Sequence, residues 1–307
     1  NTPWRIPQIP FNFPVNWIWR YWQHMKNLFF LFFFIPTWLF AQHNMPLNRQ
    51  WGIDDEKKMQ QDSSNRIISC FKPYITPPTD PVKDKTRSLL YRKVKKESLL
   101  IVKDSATKFC LSIDPLFNLE MGKDLADTSG EKLYKNTRGF LLQGHIGEKF
   151  SFESSFYENQ STFANYIDQY IVRTDELFPS VVTYEYNVIP GQGRSKKFKT
   201  NGYDYAMASG YVSYSPNNFL NIQVGHGKHF VGNGYRSLLL SDNAFNYPDA
   251  RITTTFKNFQ YTNLYTSFMN LTNGGDKVPQ GIERLFQKKI GSFQLLSASF
   301  WQRLNVG

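Results

Sequence analysis

The stretch CLSIDPLFNLEMG, residues 110–122, alternates between apolar and polar side chains. One face of an extended strand would carry the apolar set, which is Leu111, Ile113, Pro115, Phe117, Leu119 and Met121. The opposite face would carry polar side chains, and only Leu116 breaks the alternation. A period of two predicts a β-strand. Strands of soluble proteins average about five or six residues, whereas a tilted strand that crosses a membrane needs about 9–11, so the length of this run favours a membrane strand.

Two further stretches repeat this pattern. KFSFESSFYENQ, residues 149–160, places Phe150, Phe152 and Phe156 opposite serine and glutamate side chains. YDYAMASGYVSY, residues 203–214, opposes small or polar side chains to a bulky set, which is Tyr203, Tyr205, Met207 and Tyr211. A membrane barrel turns apolar side chains towards lipid and polar side chains towards its interior. We therefore expect both bulky sets to face outward.

The connections between the candidate strands alternate between short and long. They are short near Gly147, at 215–218 and at 258–260, and long at 159–202, 227–250 and 271–287. Short turns on one side and long loops on the other are typical of outer-membrane barrels, whose strand number is even in single-chain bacterial proteins. The sequence thus predicts an all-β fold, an antiparallel transmembrane β-barrel with about eight spans, the last near 288–302. Because the final residues, RLNVG, lack the aromatic side chains of a membrane interface, we expect a C-terminally truncated, partial barrel.

The N-terminal part contains an export signal. MKNLFFLFFFIPTWLFAQ begins at Met25, which is followed by a lysine. An apolar run extends from Leu28 to Phe40, and the small residue Ala41 comes next. This order predicts a signal peptide, and the alternative, a transmembrane anchor, would need about 20 apolar residues. Residues 1–24 have four prolines and no acidic residue, and we interpret them as non-native upstream translation. The predicted organisation is therefore 25–41 signal peptide, 42–105 short periplasmic lead-in and 106–307 incomplete barrel.

The lead-in and the composition add further limits. DKTRSLLYRKVKKESLLIVKD, residues 84–104, predicts a possible amphipathic helix with a basic face. A net charge of +11 with 17% aromatic residues fits a nucleic-acid binder as well as a barrel, but export to the outer membrane excludes nucleic acid as a partner. Two cysteines are too few for a disulfide framework or a cysteine-based zinc site. Isolated thiols and a single bridge both remain open.

The predicted long connection 159–202 contains two recognisable patterns. STFANYIDQYIVRTDELF, residues 161–178, predicts a short amphipathic helix at the barrel mouth, because Phe163, Tyr166, Ile167, Tyr170 and Ile171 recur at helical spacing. GQGRSKKFKTNG, residues 191–202, carries four Lys or Arg side chains. It is either a solvated loop or a contact for acidic glycans or lipid phosphates.

The glycine-rich stretch GHGKHFVGNGYRSLLLSD, residues 225–242, excludes several kinds of site. A phosphate-binding loop needs GxxxxGK followed by Ser or Thr, but Gly227 to Gly232 is followed by Asn-Gly. His226 and His229 have no nearby His, Cys or acidic pair to complete a zinc site. No spacing predicts a catalytic triad or paired carboxylates. We therefore predict no enzyme activity, no catalytic or metal-binding residues and no cofactor.

The same stretch predicts a sugar-binding loop at the barrel mouth. Four structural glycines allow tight folding, namely Gly225, Gly227, Gly232 and Gly234. The candidate polysaccharide contacts are donors, acceptors and a flat ring, namely Lys228, His229, Asn233, Tyr235, Arg236, Asp242 and Asn243. The alternative is that these side chains plug the lumen through internal ion pairs, such as Arg236 with Asp242, and both readings can hold together.

A resemblance supports this assignment. VGHGKHFVGNGYRSLLLSDNAFNYPDARITTTF, residues 224–256, resembles the central signature of the Wzi capsule-assembly family, and SCFKPYI, residues 69–75, resembles the lead-in of its Bacteroidetes branch, which includes the gliding-associated RemB-type proteins. The resemblance implies an outer-membrane β-barrel that binds or anchors capsular polysaccharide without enzymatic activity. The implied partners are surface polysaccharide, outer-membrane lipid and possible secretion or motility machinery. A diffusion pore and a surface component of gliding motility or adhesion remain alternatives.

Overall fold

Most of the described residues beyond position 96 are extended strand. The computed structural model describes residues 42–45, 47, 53, 56, 57, 59, 69–76, 97–127, 130–173, 186–274, 286–300 and 304–307. All of them belong to the unit Leu39–Gly307. The segment read as upstream translation (1–24), the predicted signal peptide (25–41) and most of the predicted helix at 84–104 lie outside the described residues.

The fold is an antiparallel all-β structure, which confirms the predicted fold class at that level. In chain order the strands are β1 (His43–Asn44), β2 (Phe71–Lys72), β3 (Ile75–Thr76), β4 (Leu100–Asp104), β5 (Phe109–Lys123), β6 (Lys132–Ile146), β7 (Phe150–Ser161), β8 (Tyr186–Ile189), β9 (Gly193–Phe198), β10 (Gly202–Asn217), β11 (Leu220–Gly227), β12 (Phe230–Val231), β13 (Tyr247–Phe256), β14 (Phe259–Gly274), β15 (Phe286–Phe300) and β16 (Leu304–Val306). One helix, α1 (Asn165–Arg173), lies between β7 and β8.

Twelve strands form one sheet. Its order is β16-β15-β14-β13-β11-β10-β7-β6-β5-β4, with β9 paired to β10 and β8 to β9. In the described part of the chain, eight of these strands have eight or more residues, as the periodicity predicted. No pairing between the described residues joins the edge strands β4 and β16.

The connections between long neighbouring strands confirm the predicted alternation. Those at one end of the sheet are turns of two or three residues, at 147–149, 218–219 and 257–258. Those at the other end are longer, at 124–131, 162–201, 228–246 and 275–285. Because consecutive antiparallel strands reverse direction, all the long connections after β7 gather at the same end of the sheet, which we call the loop end.

The two faces of the sheet differ in polarity, and the apolar face is the exposed one. Large apolar side chains that remain exposed on the strands include Phe117, Leu119, Met121, Phe140, Phe150, Phe156, Val212, Val224, Phe256, Ile290 and Leu296. Buried polar side chains on the strands include Ser151, Ser155, Asn159, Ser213, Asn221, Gln223, Asp249, Arg251, Thr253, Thr262, Thr266 and Ser297. The prediction for Phe150 and Phe156 is confirmed. We call the two sides the exposed face and the buried face.

The prediction that the bulky side chains of β10 face outward was wrong. Tyr203, Tyr205 and Met207 are 0%, 4% and 6% exposed and lie on the buried face, and Tyr211 shares that face with Ser213. Tyrosine tolerates a polar interior because its hydroxyl can be satisfied there. The Tyr203 hydroxyl accepts a hydrogen bond from a lysine Nζ at 3.0 Å and donates one to a carboxylate of α1.

Two chain segments cover part of the buried face. The first is the N-terminal segment, by which we mean the described residues 42–45 and 69–76. Its strands β1 and β3 pair with each other, and β2 pairs with β12 of the connection 228–246. That connection, the second segment, contributes Leu240 to an apolar cluster with Phe71, Tyr247 and Leu264.

The helix predicted within residues 161–178 is present. The helix predicted at 84–104 does not include the last residues of that range. In α1, Ile171 is fully buried against Ile189, Tyr203 and Tyr205, whereas Tyr166 stays 73% exposed, so the apolar stripe is narrower than predicted. Leu100–Asp104 form a strand paired with β5. The β-branched residues Ile101 and Val102 within this strand favour a strand over a helix. Both cysteines are free thiols.

Candidate functional site

A cavity of about 700 Å³ lies over the buried face of the sheet. Its floor is formed by β5, β6, β7, β10 and β11, and its walls by the N-terminal segment and the connection 228–246. Its volume falls within the range of about 300–1,000 Å³ that is usual for ligand sites. Leu116 lines this cavity, which explains why it breaks the alternation of β5.

The floor of the cavity combines hydrogen-bonding groups with aromatic rings. Glu153 accepts a hydrogen bond from Gln143 Nε2 at 2.9 Å and a longer one from the Tyr211 hydroxyl at 3.5 Å. Tyr157 also lines the cavity, and the hydroxyls of Ser155 and Ser209 are 2.7 Å apart. These groups are held by the strands themselves, so the floor has a fixed geometry.

The N-terminal wall is fastened by one buried cation. Arg251 on β13 is 1% exposed. Its guanidinium donates to the carbonyl oxygen of Pro73 at 2.9 Å, to Asn44 Oδ1 at 2.7 Å and to Gln223 Oε1. The backbone N–H of Asn44 also donates to the Tyr211 hydroxyl at 2.8 Å. Two of the three guanidinium bonds therefore bind the N-terminal segment to the sheet.

His229 fixes the position of its loop. It is 3% exposed, with Nε2 3.6 Å from Asp249 Oδ2 and Nδ1 3.3 Å from the Tyr247 hydroxyl. Its backbone N–H also donates to that hydroxyl at 3.0 Å. Burial, with the nearby Arg251 charge as a smaller cause, lowers the pKa of His229 well below its usual value, so the ring is neutral. Both ring nitrogens face protein groups, so His229 has a positioning role at the edge of the cavity.

Lys228, Asp242 and Asn243 are the predicted contacts that remain available at the cavity. All three line it together with His229. The Lys228 Nζ donates to the carbonyl oxygen of Gly191 at 2.6 Å. Burial lowers the pKa of Lys228, and the Asp242 carboxylate opposes this shift. A cation and an anion thus stand at the loop-side wall of the cavity.

Asn233, Tyr235 and Arg236 lie on a separate exposed patch and do not line the cavity. The Tyr235 ring is 75% exposed, and the Arg236 guanidinium lies 4.7 Å from its centre. Asn233 Oδ1 accepts a long hydrogen bond of 3.5 Å from the Tyr74 hydroxyl. The predicted internal pair of Arg236 with Asp242 does not form between these described residues, because Arg236 instead stacks on its neighbour's ring.

The predicted glycines differ in how strictly they are needed. A Cβ on Gly225 would stand 2.7 Å from a backbone oxygen of β10, so only glycine fits without a shift. Gly232 has a φ of +125°, a region that favours glycine. Gly227 has open space around it, and a Cβ on Gly234 would stand 3.2 Å from a backbone oxygen.

Sequence reasoning missed the strand residues of the cavity. Gln143, Glu153, Tyr157 and Tyr211 all line it, and they belong to three different strands. The signal for Gln143, Glu153 and Tyr157 was the polar half of the alternating pattern, which marks a buried polar face once the apolar half is exposed, whereas Tyr211 had been assigned to the bulky half. The contribution of Asn44 had no local signal, because its partners lie far away in sequence.

No group of three or more His, Cys, Asp or Glu side chains among the described residues could hold a metal ion. No helix in the described ranges is both long and apolar enough to cross a membrane.

Comparison of the chain with protein-family models, with curated proteins and with solved structures finds no match.

Proposed function

We propose that this protein is an outer-membrane β-barrel that binds or anchors surface polysaccharide without catalysing a reaction. The observation that carries the proposal is the polarity of the sheet, with buried serine, threonine, asparagine and arginine side chains on one face and exposed aromatic and aliphatic side chains on the other. An exposed apolar face of this extent is rare in a soluble monomer. Lipid accounts for it, because apolar side chains are favoured there.

The length of the apolar run supports the membrane part of the proposal. On β5 the exposed-face run from Leu111 to Met121 spans ten residue steps. At about 3.4 Å per residue this is about 34 Å along the strand. A tilt near 40° reduces it to about 26 Å across the bilayer, close to the apolar band of about 25 Å in outer-membrane barrels.

The contents of the cavity support the sugar-binding part. Carbohydrate hydroxyls need paired donors and acceptors, which Gln143, Glu153, Lys228, Asp242 and Asn243 supply at the cavity lining. The rings of Tyr157 and Tyr211 can pack against the C–H faces of a sugar. The loop side of this lining comes from the glycine-rich stretch on which the resemblance to capsule-assembly proteins rests.

A diffusion pore is the second candidate, and the polar buried face favours it. A pore needs an open lumen, whereas the N-terminal segment and the connection 228–246 cover part of that face through the Arg251 and β2–β12 contacts. We therefore rank polysaccharide binding first. A role in gliding motility or adhesion stays a prediction from the resemblance alone.

The test uses the full chain in lipid vesicles, an array of bacterial surface polysaccharides and single-channel recording. We expect retention on at least one polysaccharide, weakened at least about tenfold by Lys228→Gln with Asp242→Asn, since two charge-assisted hydrogen bonds are lost. Arg236→Ala on the separate patch is the matched control. Retention that falls with Arg236→Ala and is unchanged by the cavity variant would move the site to the patch. Stable conductance without retention would favour the pore.

A further inference from the structure

Three carboxylates line the cavity over the buried face, and two of them have a cation close by. Asp242 lies near Lys228 at the loop-side wall, and its charge acts on that lysine. Asp249 lies two residues from Arg251 on the same face of β13, and the charge of that guanidinium acts on it. Glu153 forms no ion pair with any residue that the structure describes. The described part of the chain therefore leaves one carboxylate on the cavity floor without a counter-ion.

Glu153 belongs to a row of side chains that crosses the floor from strand to strand. Gln143 on β6 and Tyr211 on β10 are its directly opposite neighbours in the antiparallel register. Both donate to the same carboxylate oxygen, Oε2, with Gln143 Nε2 at 2.9 Å and the Tyr211 hydroxyl at 3.5 Å. The other oxygen, Oε1, makes no hydrogen bond to a described residue, and Glu153 lines the cavity. The sheet thus holds one oxygen and leaves the other to a ligand.

The groups around Glu153 suit a positively charged donor. Gln143 uses its amide nitrogen on Glu153, so its own Oε1 stays an acceptor with no partner among the described residues. The hydroxyls of Ser155 and Ser209 lie two residues further along the same face. The ring of Tyr211 adds an aromatic face, and such faces attract cations. An ammonium group has a positive charge and three donors, so it can bind a carboxylate and two neutral acceptors together.

The cavity is less suited to an anionic ligand. Among the described residues that line it, Lys228 is the only lysine or arginine. Its Nζ already donates to the carbonyl oxygen of Gly191 at 2.6 Å, and Asp242 lies nearby. A sugar carboxylate on the floor would face Glu153 with no cation between them, and like charges at short range disfavour each other.

We infer that the cavity binds a polysaccharide that carries free, positively charged amino groups, with Glu153 as the counter-ion of one such group. The inference rests on the polysaccharide binding proposed above and names the class of sugar. The ammonium group donates to Glu153 Oε1 and to Gln143 Oε1, and the sugar hydroxyls meet the hydroxyls of Ser155 and Ser209. N-acetylation of the amino group removes its charge, so it removes the attraction to Glu153.

The experiment measures binding of three short oligosaccharides of equal length to the full chain in uncharged phosphatidylcholine vesicles by titration calorimetry. The oligosaccharides are built from glucosamine, from N-acetylglucosamine and from galacturonic acid, and the pH is slightly acidic so that the amino groups are charged. We expect the glucosamine oligomer to bind at least about tenfold more tightly than the N-acetylated one, the factor expected for one charge-assisted hydrogen bond. The galacturonate oligomer should bind most weakly.

Glu153→Gln tests the residue, because it removes the charge and keeps the shape and the acceptor for Gln143 Nε2. It should weaken binding of the glucosamine oligomer at least about tenfold and leave binding of the N-acetylated oligomer unchanged, which also shows that the cavity is intact. Glu148→Gln is the matched control. Glu148 lies in the turn 147–149, is paired with Lys108 and does not line the cavity, so its variant should keep the wild-type preference.

The possible outcomes separate the inference from the proposal beneath it. A wild-type chain that binds the N-acetylated or the galacturonate oligomer as tightly as the glucosamine oligomer overturns the inference and leaves polysaccharide binding intact. Retention only on array polysaccharides that lack free amino groups does the same. A preference that survives Glu153→Gln, or that Glu148→Gln reduces equally, overturns the role of Glu153. A chain that binds none of the oligomers and is retained on no array polysaccharide overturns the proposed function, and the inference with it.

Discussion

Replacing Arg251 with methionine should release the N-terminal segment from the sheet. The guanidinium is fully buried and donates three hydrogen bonds, two of them to that segment. Hydrogen bonds to a charged group are worth about 1.5–3 kcal/mol each. Burying the cation offsets part of this sum, and removing one side of a buried ionic network costs about 3–5 kcal/mol in net terms. We take about 3 kcal/mol as the loss of docking free energy.

The native cysteines report on this loss without further labels. Cys70 lies in the N-terminal segment and Cys110 is buried in β5. Cys70 is already partly exposed, so a loss of about 3 kcal/mol raises its labelling rate by up to about 100-fold, the full factor applying if the thiol reacts only when the segment opens. The rate at Cys110 should stay unchanged, because β5 keeps both of its neighbouring strands.

The matched control is Thr253→Val on the same strand and face. The buried hydroxyl of Thr253 has no hydrogen-bond partner in the described structure, so its loss should leave both labelling rates unchanged. The reasoning is refuted if Arg251→Met leaves Cys70 labelling as slow as in the wild type. Equal acceleration of labelling at Cys70 and Cys110 would also refute it, because Arg251 would then stabilise the whole sheet and not only the N-terminal segment.

Three further predictions concern the free energy of unfolding, measured by urea titration of the chain in lipid vesicles. Gly225→Ala should lower it by about 1–3 kcal/mol, because the new Cβ meets a backbone oxygen at 2.7 Å. Gly227→Ala is the control and should leave it unchanged, because the space around Gly227 is open. Equal effects of the two variants would contradict the claim that position 225 requires glycine. Ile171 is fully buried, so Ile171→Ala should lower the free energy of unfolding by about 2–5 kcal/mol. The control Tyr166→Ala should change it by less than about 0.5 kcal/mol. An Ile171→Ala variant as stable as the wild type would mean that α1 is not packed on the sheet. Burial lowers the pKa of His43 from 6.5 to about 4, so between these two pH values only the unfolded state binds a proton at this residue. The free energy of unfolding should therefore fall by up to about 3 kcal/mol as the pH drops from 6.5 to 4. His43→Gln should flatten this dependence on pH, and an unaltered dependence would assign it to another group.

Periodicity predicted the strands well because it reports on local geometry. A two-residue repeat fixes which side chains share a face, and β5 and β7 follow it with Phe117 and Phe156 exposed. Periodicity does not say which face is covered. The prediction for residues 203–214 assigned the bulky side chains to the wrong face. Tyr203 and Tyr205 are bulky and aromatic, but their hydroxyls bind partners on the buried face. For tyrosine, size and polarity point to different environments.

The candidate site was only half predictable for a related reason. Lys228 and Asp242 belong to one glycine-rich stretch, so they could be singled out together, and both line the cavity. Glu153 on the floor is one polar residue among many in an alternating strand. Asn44 reaches the site through bonds to Arg251, 207 positions away, and to Tyr211, 167 positions away. No local pattern encodes such a contact.

The separation between Arg251 and its partners also sets an order of events during synthesis. Pro73 leaves the ribosome 178 residues before the arginine that binds its carbonyl oxygen. At about 5–20 residues per second, this gap lasts roughly 9 to 36 s. Throughout that interval the N-terminal segment lacks Arg251, its partner on the sheet. The N-terminal segment is therefore among the last of the described parts of the chain to find its partners, because β13 must be made before Arg251 can bind it.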